Sequence, residues 1–231
     1  MISTKDIASE NTGGGGLPKT IKPGEQVLKI NSVGLKRFPF MEADNGYYFV
    51  LNVETKPLEN FEGFFIDPND ESKGRYEGQV GEIKTNRYFY KDGETKSGIK
   101  VNRDEEILRQ ISRISLISTG AQKWLDSVDG KFETIEELVD AFNESGVFNG
   151  LYYNFCVAGK EYERKNGYTG YDLFLPKLTR QTSAFELENV SNSRLLPFNE
   201  ADHWIKLESK PVESFGNEVS ASGVTNTDFD L

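Results

Sequence analysis

The chain has 231 residues, of which 36% are hydrophobic and 28% are charged, and its formal net charge is −10. Its 16 Phe and 10 Tyr residues are enough for a core, and no apolar run approaches the roughly 20 residues of a membrane-spanning helix. The single Cys and single His exclude an intramolecular disulfide framework and a soft-ligand metal site. With no signal-peptide pattern over residues 1–16, we expect a reducing, cytoplasmic location.

The charge is unevenly distributed along the chain. Three segments each contain five basic residues. They are residues 19–37, 84–101 and 160–180, which contain one, two and three acidic residues respectively. Residues 41–82 hold ten acids and three bases. Basic segments in an acidic protein are typical of a regulated polyanion binder, since a basic groove attracts phosphate while the rest stays soluble. Ordinary mixed surface charge gives similar counts.

The first part of the chain predicts an arm followed by strands. Residues 1–26 are a flexible arm, because consecutive glycines at 13–16 and then prolines precede any strand pattern. A folded domain is predicted over 27–180. Alternating, β-branched and aromatic residues predict strands over 27–38, 47–55 and 61–66, and one or two further strands over 75–90.

A helical insert is predicted at about 103–146. Asn102 or Asp104 is placed to cap a first helix, which Gly120 ends. Thr134 and Glu137 form a capping-box pattern that starts a second helix, with Gly146 as its stop.

Strands return after the insert. Residues 151–157 and 168–175 flank the turn-forming residues 165–167 and predict a β-hairpin. Residues 181–207 are a mixed polar and apolar extension, of the kind that packs on a domain. Residues 208–231 hold five acids and one Lys among Ser, Thr, Asn and Gly, which predicts a disordered acidic tail.

This layout predicts a mainly β (α+β) fold. Short strands interrupted by one helical segment favour a small β-barrel of the oligonucleotide-binding (OB) type, with the helical segment as an insertion. A plain β-sandwich is the competing architecture.

Aromatic and basic residues are interleaved on the predicted strands. Alternation along 84–91 places Lys84, Tyr88 and Tyr90 on one face and Arg87 on the other. Tyr rings stack on nucleobases, which contributes about 1–3 kcal/mol of binding free energy per nucleobase, while basic side chains such as Lys neutralise phosphates. The predicted nucleic-acid-binding residues are Lys84, Arg87, Tyr88, Tyr90, Lys160, Tyr162, Arg164, Lys165 and Tyr168.

Other aromatics are expected in the core. Residues Tyr153, Phe155 and Val157 share one face of their strand with Leu151, and Phe174 is apolar like its neighbours. These residues are therefore predicted to be buried.

The C-terminal tip is the most distinctive short segment. Asp228, Phe229, Asp230 and Leu231 alternate two carboxylates with two apolar side chains. Such a tip fits a basic, apolar-floored pocket of another protein, and in single-stranded DNA (ssDNA)-binding proteins it recruits replication partners and competes with nucleic acid for the basic groove. The alternative is an ordinary frayed end.

The sequence gives little support for an enzyme. Residues 13–20 resemble a P-loop, but Pro18 replaces a required glycine. Residues 67–71 resemble a calcium loop but lack its glycine spacing and terminal Glu. His203 has no nearby nucleophile. We therefore expect no catalytic residue, no metal and no cofactor.

Four stretches carry a family resemblance: the Gly-rich arm leading to Leu17-Pro18, YNFCVAGKEY at 153–162, Gly167-Tyr168, and LFLPK at 173–177. Over roughly residues 10–180 the chain resembles the ssDNA-binding proteins of crAss-like bacteriophages, and its tip is similar in kind to the acidic-aromatic tails of phage and bacterial ssDNA-binding proteins. The resemblance implies an OB-like core without catalysis, protection of ssDNA during phage replication in the host cytoplasm, and contact with a polymerase or helicase through the tail. The long helical insert departs from a simple OB-fold.

Two other functions are compatible with the sequence. A β-rich phage structural or interaction protein would bury the aromatics in a subunit interface, and a homo-oligomer is compatible with either function. A metal-dependent nucleic-acid enzyme would use the acids within residues 67–82.

Overall fold

The computed structural model describes residues 21–56, 80–120, 123–165, 167–179 and 181–207. Its strands are β1 (Gly24–Lys36), β2 (Tyr48–Thr55), β3 (Val80–Lys84), β4 (Gly93–Glu94), β5 (Lys100–Val101), β6 (Tyr152–Glu163), β7 (Thr169–Phe174), β8 (Phe185–Leu187) and β9 (Trp204–Ile205). Its helices are α1 (Arg103–Thr119), α2 (Lys123–Val128), α3 (Ile135–Glu144) and α4 (Glu200–His203), with a 3₁₀ helix at Pro39–Asp44. The fold is mainly β with a mixed sheet and several helices, as predicted.

Some predicted segments lie outside the described residues. They are most of the arm over 1–26, the predicted strand over 61–66, the acids within residues 67–79 and the tail over 208–231.

One long strand connects the two sides of the main sheet. The first half of β1 pairs with β6, with Leu28 opposite Tyr153, and its second half pairs with β2, with Val33 opposite Leu51. The order of pairing runs β1-β2-β3-β7-β6, and β6 returns to β1. All these pairs are antiparallel except β3 with β7, which run parallel.

A bulge lets β1 change partners without turning its apolar side chains outward. The register with β2 shifts between Ile30 and Ser32, so Asn31 is an extra residue. Leu28 and Ile30 before the bulge and Val33 after it are all buried, although strict alternation would place Ser32 with the first two. The bulge therefore keeps one continuous core-facing stripe.

The core lies between the inner face of the sheet and the helices. Tyr153, Phe155 and Val157 of β6 are buried there, as predicted. The helical segment closes one side, since Ile107, Ile111 and Ile114 of α1 belong to the same cluster of buried residues as these strand residues. The Asn102 side chain caps α1 by accepting a hydrogen bond from the Glu105 amide at 3.0 Å.

Of the one or two strands predicted over 75–90, the structure has β3, which ends at Lys84 and is followed by an irregular segment. The Thr85 amide and hydroxyl both donate to the Phe49 carbonyl, each at 2.9 Å, and the amide bond is the last in-register contact after the pairing of Lys84 with Val50. The Asn86 side chain then accepts from the Tyr88 amide at 3.4 Å, a local bond that competes with strand pairing. The alternation assumed for residues 84–90 therefore does not apply.

Asn143 at the end of α3 fastens the helical segment to β1. Its side-chain oxygen accepts from the Val33 amide at 2.8 Å, and its side-chain nitrogen donates to the Val33 carbonyl at 3.0 Å. The Asn143 side chain thus satisfies both backbone groups of Val33. This residue is buried and lies in the part of β1 that no longer pairs with β6. The position of the helices against the sheet depends on this pair of bonds.

We predict that Asn143→Ala lowers the free energy of unfolding by about 1–3 kcal/mol, because two backbone groups of Val33 lose their partner. Urea denaturation measures the change. Glu144→Ala, an exposed substitution at the next position of the same helix, is the control and should change stability by less than about 0.5 kcal/mol. Equal stabilities of the two variants would contradict the role of Asn143.

Candidate nucleic-acid interface

Four aromatic side chains form a cluster on the outer side of the sheet, in which Phe38 and Phe40 are exposed and Tyr48 and Phe89 are half-buried. Phe38 and Phe40 lie in the segment after β1, and their rings stack with centroids 5.8 Å apart and an interplanar angle of 6°. Tyr48 of β2 contacts the Phe38 ring edge-on, and Phe89 contacts both Phe40 and Tyr48 in the same manner. Phe40 is 66% exposed and Phe38 is 41% exposed, so flat apolar rings face solvent. We call these four residues the aromatic platform.

Tight backbone packing holds the platform in place. A Cβ atom at Gly46 would lie 2.5 Å from the Phe89 ring, so a glycine is required where this ring covers the chain. The Arg37 guanidinium donates to the Asn45 side chain at 2.6 Å, and the Arg103 guanidinium donates to the Asn45 carbonyl at 2.6 Å. The loop that carries Phe40 is therefore fixed from both of its ends.

Tyr47 links this loop to the helical segment. Its ring lies between two guanidinium groups, with the Arg37 carbon 4.0 Å and the Arg103 carbon 4.8 Å from the ring centroid. Its hydroxyl donates to the Glu136 carboxylate at 2.7 Å. This bond, followed by burial, raises the pKa of Tyr47, and the same bond lowers the pKa of Glu136. Helices α1 and α3 thus brace the loop that presents the platform.

A cleft opens beside the platform, where β3 and β7 separate. The two strands are paired only through Ile83 with Leu173 and Lys84 with Phe174. The cleft has a volume of about 570 Å³, with Ile21 and Leu173 among its apolar residues. Its other lining side chains include Phe38, Lys84, Lys160, Tyr162 and Asp172. We call it the first cleft.

Positive charge in the first cleft comes from two lysines. Lys84 Nζ lies 4.2 Å from the centroid of the Tyr48 ring and 2.7 Å from Asp172 Oδ1, so it is held between the platform and β7. Lys160 is exposed and has no ion-pair partner among the described residues. A cation that lacks an acidic partner is available to neutralise an incoming anion.

The predicted site residues separate into four groups. Lys84, Lys160 and Tyr162 meet in the first cleft. Arg87 and Tyr88 lie in the irregular segment after β3, with the Arg87 guanidinium 5.6 Å from the Tyr88 ring centroid. The β6–β7 turn and its flanks carry the third group, which consists of Arg164, Lys165 and Tyr168.

Tyr90, the last predicted residue, belongs to the hydrophobic core. It is 7% exposed, and its hydroxyl lies 3.0 Å from the Thr85 hydroxyl in a buried contact. Its backbone forms an antiparallel bridge with Tyr47, so Tyr90 runs in the same direction as β3, but the irregular segment between them shifts it out of the β2–β3 register. Burial raises the pKa of Tyr90 to about 12.

The platform itself was missed by sequence reasoning. The available signal was the run Lys36-Arg37-Phe38-Pro39-Phe40, in which two basic residues immediately precede a segment with two phenylalanines. Phe89 gave no such signal, because its contact with Tyr48 depends on the turn after Lys84. The predicted partner-binding tip at 228–231 lies outside the described residues.

No family model matches the chain, and searches of curated proteins and of solved structures found no similar protein. None of the helices in the described ranges has the length and apolarity needed to cross a bilayer. Within the same ranges, no three or more His, Cys, Asp or Glu side chains are grouped as metal ligands would be.

We predict that Tyr90→Phe makes stability less sensitive to alkali. Tyr90 has a pKa of about 12 in the fold, against 10.0 for the free side chain. Its contribution to the free energy of unfolding is therefore constant below about pH 10 and is lost between about pH 10 and 12, at about 1.4 kcal/mol per pH unit.

Urea denaturation across this pH range measures the effect as a difference between the protein and its variant. Measurements below about pH 10 provide the reference, because Tyr90 is protonated there in both the folded and the unfolded state and the two proteins should show the same pH dependence. A Tyr90→Phe profile parallel to that of the unmodified protein would mean that Tyr90 is accessible to solvent.

Proposed function

We propose that the protein is a non-enzymatic ssDNA-binding protein, in which the aromatic platform stacks nucleobases and the first cleft receives the adjoining phosphates. The observation that carries the proposal is their adjacency. Phe38 belongs to the platform and also lines the first cleft, and Lys84 contacts both Tyr48 and Asp172. Stacking rings and cations therefore share one continuous outer surface.

The geometry favours an unpaired strand over a duplex. Base stacking on a protein ring requires a base with an open face, which a duplex offers only at its ends. Phe40 and Phe38 lie on an exposed surface with almost parallel rings, as a stacking platform requires. Because every base has a flat face, binding of this kind tolerates any sequence.

The strand pairings support an OB-like barrel for this surface. The order β1-β2-β3-β7-β6, with β6 returning to β1 and a helical segment between β3 and β6, is the pairing expected of a five-stranded barrel with an insertion. OB-folds bind oligonucleotides on the face of their second and third strands and with the loops between strands one and two and between strands four and five. In this chain those regions are β2 with β3, the loop carrying Phe40, and the β6–β7 turn.

The β6–β7 turn extends the proposed surface. Tyr168 is 66% exposed and Lys165 is exposed, so the turn offers a ring and a cation beyond Tyr162. We propose that Arg164, Lys165 and Tyr168 cover the strand from the side opposite Phe40, as the mobile loops of a binding groove do.

The biological setting is a proposal made on the sequence. We propose that the protein protects ssDNA during phage replication in the host cytoplasm, and that residues 228–231 recruit a polymerase or helicase. The alternation of two carboxylates with two apolar side chains supports this role for the tip. The same tip competes with DNA for the first cleft in this proposal, because both ligands are anionic.

We predict that Phe40→Ala weakens binding of oligo-dT by about 1–3 kcal/mol, because one stacking ring is removed from an exposed position. Fluorescence anisotropy with labelled oligo-dT measures the affinity. Ile99→Ala, between β4 and β5, is the control, since Ile99 is 64% exposed and Phe40 is 66% exposed. Unchanged affinity in Phe40→Ala would make the platform a protein-contact surface, as in the structural or interaction protein considered above.

A second prediction concerns charge. Lys160→Gln should reduce the slope of log affinity against log salt by about 0.7, the value for one phosphate contact with a single strand. Lys131→Gln, an exposed lysine after α2, provides the same charge change away from the first cleft. Equal slopes for the two variants would mean that Lys160 contributes only to the general field of the protein.

A further inference from the structure

A second, larger cleft lies next to the first along the same face of the sheet. Its volume is about 860 Å³, and Ala158 of β6 and Phe174 of β7 are among its lining residues. These two residues are paired across the strands, and the next pair on that face, Lys160 with Asp172, lines the first cleft. Two residues along a strand span about 7 Å, so the two clefts are immediate neighbours.

The second cleft repeats the chemistry of the first. Tyr88 is 67% exposed at its rim, and Phe174 lies in its wall. The Arg87 guanidinium lies 5.6 Å from the Tyr88 ring centroid and 5.9 Å from the Phe174 ring centroid. Two aromatic rings with one cation beside both provide groups that stack a nucleobase and neutralise its phosphate.

Two further cations come from separate parts of the chain. Arg113 of α1 and Lys177, which follows β7, also line the second cleft and are exposed. Neither forms an ion pair among the described residues.

The acids of the second cleft already have partners. Glu106 pairs with Arg109, and Asp202 accepts a hydrogen bond from the Asn199 side chain at 2.6 Å. The charge of Glu106 is thus offset by Arg109, whereas Asp202 keeps its negative charge because the Asn199 amide is neutral. The cations Arg87, Arg113 and Lys177 still outnumber the acids that line this cleft.

We propose that the second cleft is a further nucleotide subsite, so that one DNA strand runs from the platform through the first cleft and then between Tyr88 and α1. This inference rests on the proposed function. It assigns binding roles to Arg113 and Lys177, neither of which was among the binding residues predicted from the sequence. It also means that α1 of the helical insert forms one wall of the binding surface. The ligand is a phosphodiester-linked nucleotide of the same strand, bound without sequence preference.

Oligonucleotide length tests this subsite. An oligo-dT of about six nucleotides is long enough for the platform and first cleft, whereas about fifteen nucleotides also reach the second cleft, within the range for such folds. Arg113→Gln should weaken binding of the long oligonucleotide at least fivefold and leave the short one within twofold. Lys123→Gln on α2 is the charge-matched control and should change neither affinity. Equal thermal midpoints show that both variants are folded.

A substitution at the rim gives an independent signal. With Tyr88→Trp, indole fluorescence should be quenched by the long oligonucleotide and not by the short one, because only the long strand stacks on this position.

Each outcome has a separate meaning. Loss of affinity confined to the long oligonucleotide, with quenching, supports the subsite. Equal effects of Arg113→Gln on both lengths, or no effect on the long one, overturn the subsite while the proposed function stands. Failure of the unmodified protein to bind either length overturns the proposed function, and the subsite with it.

Discussion

The division of β1 between two partner strands is the constraint on which the rest of the structure depends. Its first half pairs with β6 and its second half with β2, so the strand fixes which face of the sheet is interior. Slipping the register by one residue would turn Leu28 and Ile30 outward, at about 1.5–3 kcal/mol for each apolar side chain exposed. The bulge at Asn31 is the local adjustment that allows both pairings, because it returns Val33 to the core. The outer face, where the platform and both clefts lie, follows from this choice.

The helical segment is more than a cover for the core in this account. Arg103 at the start of α1 holds the Asn45 carbonyl, and Glu136 at the start of α3 holds the Tyr47 hydroxyl, so both helices reach the loop that carries the platform. Asn143 ties the end of α3 to β1. Rigid support matters for stacking, since a ring that is already ordered loses less conformational entropy when a base binds. The insert thus links the stability of the fold to the geometry of the proposed site.

Much of the architecture was predictable from the sequence, and the failures have physical causes. The strands 27–38 and 47–55 and the helix capped by Asn102 follow local patterns, and the structure has β1, β2 and α1 there. The burial of Tyr90 was not predicted, because the irregular segment after Lys84 shifts its pairing with Tyr47 out of the β2–β3 register. Phe38, Phe40 and Phe89 were overlooked because a cluster of rings from three segments is a property of the tertiary structure. Lys84, Lys160 and Tyr162 were chosen by their chemistry and meet in the first cleft, although their function as a binding site is still a proposal.

The central claim is that the outer face binds DNA because its rings accept unpaired bases beside cations that accept phosphates. The most direct test is a titration of the purified protein with fluorescent oligo-dT and with a matched duplex, at two salt concentrations. The account predicts much tighter binding of the single strand, with an affinity that falls as salt rises because phosphate contacts release counterions. Equal affinity for duplex and single strand, or no binding at low salt even after removal of residues 208–231, would contradict it.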